Sequence, residues 1–207
     1  MAAGKTDHTL ERLIFFSDAV FAIAITLLVI EIHPPHLAHH SSAAAHLQAL
    51  AELIPSFVGY FVSFWVIGSF WMGHHRAFGL ASHYSPQILG WNMALLNVIA
   101  FMPFASAYLS LNEGEAVPTV FYCIVMSAAA LLNYKVNRTA TSPPMLDESA
   151  DPEAVRYVRL RSVSVLLGAL SAVALSCVWP QFGQLALISI PLWRRGLVHW
   201  AARPRPA

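Results

Sequence analysis

The apolar stretch 12–32, RLIFFSDAVFAIAITLLVIEI, has one carboxylate near its end, Glu31, and another in its interior, Asp18, together with the hydroxyls of Ser17 and Thr26. An ionisable side chain in a membrane span is expensive, and it marks an ion pathway, a proton relay or a clasp between helices. Asp18 therefore demands a partner. The candidates by depth are His74 and His75, which end a second apolar stretch, and Arg12 at the start of the first. An imidazole beside a carboxylate can hold two helices together, or it can exchange a proton near neutral pH. Asn92 and Asn97 are further polar groups in a third apolar stretch, where amides usually bond across helices.

The other face of the first stretch is chemically plain. At about 100° per residue, Phe16, Ala19, Ile23, Leu27 and Ile30 fall on one stripe with Thr26 at its flank, while Asp18 and Ala22 point away. If Asp18 turns toward neighbouring helices, the aliphatic stripe is left to face lipid, a packed neighbour or the symmetry axis of an oligomer.

The elements that must position these residues are read from composition. The 207 residues are 57% hydrophobic and 11% charged, against about 25% charged in soluble domains, which marks an all-α integral membrane protein. The expected organisation is one domain, 1–207, with six transmembrane helices at about 13–32, 54–75, 88–111, 117–134, 163–178 and 182–193. The hydrophilic segment 135–161 reads as a cytoplasmic linker. The first span is too long for a signal-peptide core and no cleavage site follows it, so it is expected to be retained.

Lys and Arg orient the bundle. With both termini cytoplasmic, all twelve fall inside: Lys5, Arg12, Arg76, Lys135, Arg138, Arg156, Arg159, Arg161, Arg194, Arg195, Arg203 and Arg205. Glu31, Glu52, Glu113 and Glu115 fall outside.

The residues Arg12, Phe16, Ser17, Asp18 and Thr26 fit the pattern R-x-x-x-F-S-D-x(7)-T. In this the chain resembles the family of the endosomal and lysosomal potassium channel called transmembrane protein 175, and looks like a bacterial member. FWMGHHRAF (70–78) and FMPF (101–104) resemble the same family, and the carboxyl-terminal half matches it in layout. The resemblance implies a homotetramer of six-span subunits in the bacterial cell membrane, with the first helices lining a central pore that lacks a TVGYG filter. It implies constriction layers at Ile23, Leu27 and Ile30, with Thr26 near the narrowest point and Ile23 and Thr26 setting selectivity. It also implies a structural clasp behind the pore helix made of Arg12, Phe16, Ser17, Asp18 and His74. Helical phase puts Arg12 near the pore side, which leaves its partner open. Glu31, at the outer end of the pore helix, would concentrate cations in an external vestibule.

The expected function is a potassium-preferring channel in the lipid bilayer, with permeant K⁺ as the ligand and no cofactor, resident metal or nucleic-acid partner. The rival is a proton-coupled secondary transporter using Asp18 and His74, a class marked by discontinuous helices and internal repeats that are not evident here. No nucleophile–base constellation suggests an enzyme. Cys123 and Cys177 sit singly in apolar runs, and the histidines of loop 33–46 lack metal-site spacing.

Overall fold

A computed structural model describes residues 8–112 and 114–201. Lys5, Glu113, Arg203 and Arg205, used above to orient the chain, lie outside the described residues. The order is α1 (His8–Leu27), α2 (Ala43–Glu52), α3 (Ile54–Phe78), α4 (Pro86–Leu111), α5 (Ala116–Ala140), α6 (Pro152–Val178), a 3₁₀ segment (Pro180–Ser189) and α7 (Ile190–Ala201).

Local sequence explains most of the boundaries. The α-helix of α1 ends at Leu27, and the next bonds are tight turns from Ile30 N to Leu27 O (3.1 Å) and from Ile32 N to Val29 O (3.2 Å). Pro34 and Pro35 lie just beyond, where the chain cannot stay helical. Ser42 caps α2 by accepting from Ala45 N (3.2 Å), and Asp151 caps α6 by accepting from Glu153 N (3.0 Å) and Ala154 N (3.3 Å). Prolines open α3, α4 and α6 at positions whose N–H would have no intrahelical partner. Pro103 lies inside α4 and is buried there, so the carbonyl of Ile99 lacks its usual donor.

The packing is centred on α5, which lies between α4 and α6, while α1 packs on α3 and α4. Tyr122, Met126, Ala129, Ala130 and Val136 of α5 are buried with Ile99 and Met102 of α4, and Leu10, Leu13, Phe21 and Ala24 of α1 join the same core. Short polar side chains bridge the helices where backbones approach. Ser63 of α3 meets Ser106 of α4 at 2.7 Å and the Tyr122 hydroxyl of α5 at 3.4 Å.

Among the described residues, four helices are long and apolar enough to cross a membrane by length and composition: α3, α4, α5 and α6. The described part of α1 carries Glu11, Arg12 and Asp18 within its 20 residues. At ~1.5 Å per residue it is still ~30 Å long, the thickness of a hydrocarbon core. The expected last span, 182–193, is not one helix, because the chain is 3₁₀ through Ser189 and α-helical from Ile190.

The expected linker 135–161 is mostly helix. Hydropathy records where polar residues begin, and the helices continue past that point. Residues 135–140 extend α5 and 152–161 begin α6, leaving a connection of 141–151. Lys135 sits over the Trp91 ring at 5.6 Å. Arg159 straps α6 to the end of α5 by donating to the Thr141 carbonyl, to Thr141 Oγ1 (3.2 Å) and to Ser142 Oγ (3.0 Å), which also places a cation at a helix carboxyl end. The α3–α4 and α5–α6 connections pair through Ser82 N to Met145 O (2.9 Å) and Asp147 N to Leu80 O (2.9 Å). Hydrogen bonds from Ser149, first its hydroxyl and then its amide, hold the exposed Asp147 carboxyl below the usual carboxylate range.

Candidate functional site

The first helix has two unlike faces. Leu10, Leu13, Ser17, Phe21, Ala24 and Leu28 follow a helical period and are buried against the bundle. The opposite face carries Phe16 (49% exposed), Ile23 (57%), Leu27 (38%) and Ile30 (66%), with Arg12, Ala19 and Thr26 also exposed. The stripe drawn from helical phase therefore lies on the side that the subunit leaves uncovered. Ile30 follows the end of the helix and sits in the turn.

Thr26 Oγ1 donates to the Ile23 carbonyl at 2.9 Å. Its proton is committed to the backbone, so its oxygen remains an acceptor on the exposed face. Glu31 is half-buried beside a small cleft formed with Tyr60 of α3 and Ser106 and Ser110 of α4.

Behind the helix, three polar links tie α1, α3 and α4 into a triangle. Asn92 Nδ2 donates to Ser17 Oγ at 2.8 Å, joining α4 to α1. Ser17 Oγ donates onward to the Leu13 carbonyl at 2.7 Å. Asn92 Oδ1 pairs with His74 Nε2 at 2.9 Å, joining α4 to α3. With the amide oxygen as acceptor, His74 must carry its proton on Nε2. Trp71 Nε1 donates to Asp18 Oδ1 at 2.8 Å, joining α3 to α1. Rings fill the remaining space: His74 stacks on Phe78 at 4.3 Å and meets Phe21 at 5.5 Å, and Trp71 stacks on His75 at 5.4 Å.

This arrangement corrects the expected clasp in three respects. Asp18 bonds to Trp71, an indole within the FWMGHHRAF run, and His74 reaches Asn92 instead of the carboxylate. Arg12 is exposed on the stripe side and makes no hydrogen bond or ion pair among the described residues, because the phase that turns Asp18 inward turns Arg12 outward. Phe16 lies about half exposed on that same side. Asn92 joins the cluster, whereas Asn97 is exposed. Trp71 was legible only as an apolar residue one turn from His75. An indole has a single donor, and a membrane carboxylate is a natural acceptor for it. Among the described residues, no three His, Cys, Asp or Glu side chains converge as metal ligands would.

Long apolar helices sharing internal polar links define a multi-pass membrane protein. Residues 12–103, the span holding the whole triangle, match the family model described as endosomal/lysosomal potassium channel TMEM175. A potassium channel of Streptomyces collinus is 34% identical over 185 residues, covering 86% of this chain and 82% of that one. A potassium channel of Chamaesiphon minutus is 35% identical over 149 residues, covering 70% and 72%. The chain belongs to the TMEM175 family. Its fold is similar to a crystal structure of a threonine-to-alanine variant of the potassium channel MtTMEM175 in complex with a nanobody fusion protein. That likeness has a TM-score of 0.62 at 17% identity and covers 98% of this chain and 96% of the other.

Proposed function

We propose that the protein is a potassium-preferring cation channel, a homotetramer of six-span subunits whose four α1 helices surround a central pore. Both termini lie in the cytoplasm, and the assembly resides in a bacterial cell membrane. The observation that carries this reading is the two-faced α1: its polar links and core residues all point into the subunit, while Ile23, Leu27 and Ile30 stand uncovered with an acceptor oxygen at Thr26. A purely lipid-facing surface would have no use for Arg12 and Thr26 on the same arc. The potassium channels of Streptomyces and Chamaesiphon, more than 30% identical to this chain, supply the ion class.

The mechanism follows from the residue types. Rings of Ile23, Leu27 and Ile30 offer no ligands to replace hydration water, so they constrict by size and close by dewetting. K⁺ holds its water less tightly than Na⁺ and passes such a barrier more readily. Thr26 Oγ1 replaces part of the lost water near Ile23 and sharpens the preference. Glu31 at the outer end raises the local cation concentration without choosing among cations. Arg12, free of Asp18, faces the cytoplasmic mouth of the same pore. The Ser17–Asn92–His74 and Asp18–Trp71 links fix the helix from behind and do not touch the ion.

The proton-coupled carrier is less well supported, because Asp18 and His74 are held by separate partners, Trp71 and Asn92, and share no hydrogen bond. Purified protein in liposomes tests the choice. A channel dissipates a K⁺ gradient passively, with a rate that an imposed pH gradient does not change. Obligatory coupling to proton movement would overturn the channel reading.

A further inference from the structure

A large cavity lies away from α1, between α3, α5, α6, the 3₁₀ segment and α7, and measures about 1110 Å³. That exceeds the ~300–1,000 Å³ of ordinary small-molecule pockets. Its two ends differ in chemistry. One is walled by Phe61, Trp65, Leu185 and Ile188, which are 59%, 68%, 55% and 71% exposed, so this end opens toward the surroundings of the bundle. The other end holds Asn137, Arg161 and Arg194.

The cationic end lacks an anion. Arg161 donates to the Ser69 carbonyl at 3.0 Å and has no carboxylate partner among the described residues. Arg194 lies over the Tyr157 ring at 4.8 Å, with Arg76 over the same ring at 5.6 Å, so guanidinium groups cluster instead of pairing with acids. No Asp or Glu lines the cavity among the described residues. A half-buried guanidinium without a counter-charge is costly in a membrane protein, and basic pockets between membrane helices take up anionic headgroups.

We infer that this cavity holds an anionic phospholipid, with its phosphate on Arg161 and Arg194 and an acyl chain along Phe61, Trp65, Leu185 and Ile188. The charge complementarity fixes the headgroup, and the laterally open apolar end fixes the tail. The site is separate from the α1 face, so it stands or falls independently of the pore reading.

Lipid binding to the purified, delipidated full-length protein tests the inference, read as thermal stabilisation during titration and as lipid retained in native mass spectrometry. The probes are phosphatidylglycerol, phosphatidylcholine with the same chains, and inorganic phosphate. Phosphatidylglycerol should raise the unfolding temperature and remain bound, while the other two do neither. Arg194 is exposed, so Arg194→Gln should fold normally and weaken phosphatidylglycerol binding about fivefold, the effect expected of one cation at an anionic headgroup. Val165→Trp, which fills the cavity from α6, should abolish retention while K⁺ flux in neutral liposomes persists. Equal binding of phosphatidylcholine would overturn the headgroup assignment, and equal stabilisation by phosphate alone would overturn the acyl-chain assignment. If neither variant alters lipid binding, or if the variants change the oligomeric state and no lipid binds, the cavity is not a lipid site.

Discussion

Replacing Asn92 by Leu is the sharpest probe of the triangle behind α1. The amide is fully buried and makes two interhelical bonds, to Ser17 at 2.8 Å and to His74 at 2.9 Å. Interhelical hydrogen bonds in membrane proteins contribute ~0.6 kcal/mol each on average, so losing two costs about 1 kcal/mol. The larger effect is what remains. His74 is fully buried and its Nδ1 already has no partner, so Asn92→Leu also strands the Nε2 proton, adding about 1–3 kcal/mol. Ser17 keeps its bond to the Leu13 carbonyl and adds little. The expected total is about 2–4 kcal/mol, read by reversible unfolding in mixed micelles. The double variant with His74→Phe should recover part of this, because the stranded proton is gone and a phenyl ring suits the stack between Phe21 and Phe78. Strict additivity, or a loss below about 0.5 kcal/mol for Asn92→Leu alone, would refute the reasoning.

Two further predictions concern other links. Trp71→Phe removes the donor to Asp18 and should cost about 1 kcal/mol of stability. The K⁺/Na⁺ preference should hold, and altered permeation at unchanged stability would assign Asp18 to the pore. At Gly183 a methyl group would come within 2.5 Å of Ser176 Cβ and 3.1 Å of its Cα, atoms that cannot swing aside. Gly183→Ala should therefore destabilise by about 1–3 kcal/mol in thermal unfolding, and a neutral or stabilising result would show the 3₁₀ segment packing elsewhere.

Much of the bundle was legible in the sequence because apolar runs report where hydrocarbon begins and ends. The extents of α5 and α6 were not, since their polar turns are held by partners such as Trp91 and Thr141 that are remote in sequence. The division of α1 into a buried and an exposed face followed from helical phase, which depends on the residues of one helix alone. Its partners did not, because the choice between His74 and Trp71 for Asp18 depends on the rotation of α3 about its own axis. Arg12 shows the same contrast: its phase already set it on the stripe side, while its depth and the resemblance to the family placed it in the clasp. The break at Ser189 is invisible to hydropathy, since the surrounding residues are as apolar as a span; its signal is Pro191, which cannot donate into a preceding helix and suits the first turn of α7.

The central claim is that the exposed aliphatic face of α1 is the permeation barrier, and Ile23→Asn tests it most directly. In proteoliposomes with matched K⁺ and Na⁺ gradients, the amide should wet the narrowest layer, raise the cation flux and reduce the K⁺/Na⁺ ratio, while the fold of the subunit is unchanged because Ile23 is 57% exposed within it. Flux and selectivity equal to those of the unmodified protein would place the barrier elsewhere and contradict the account.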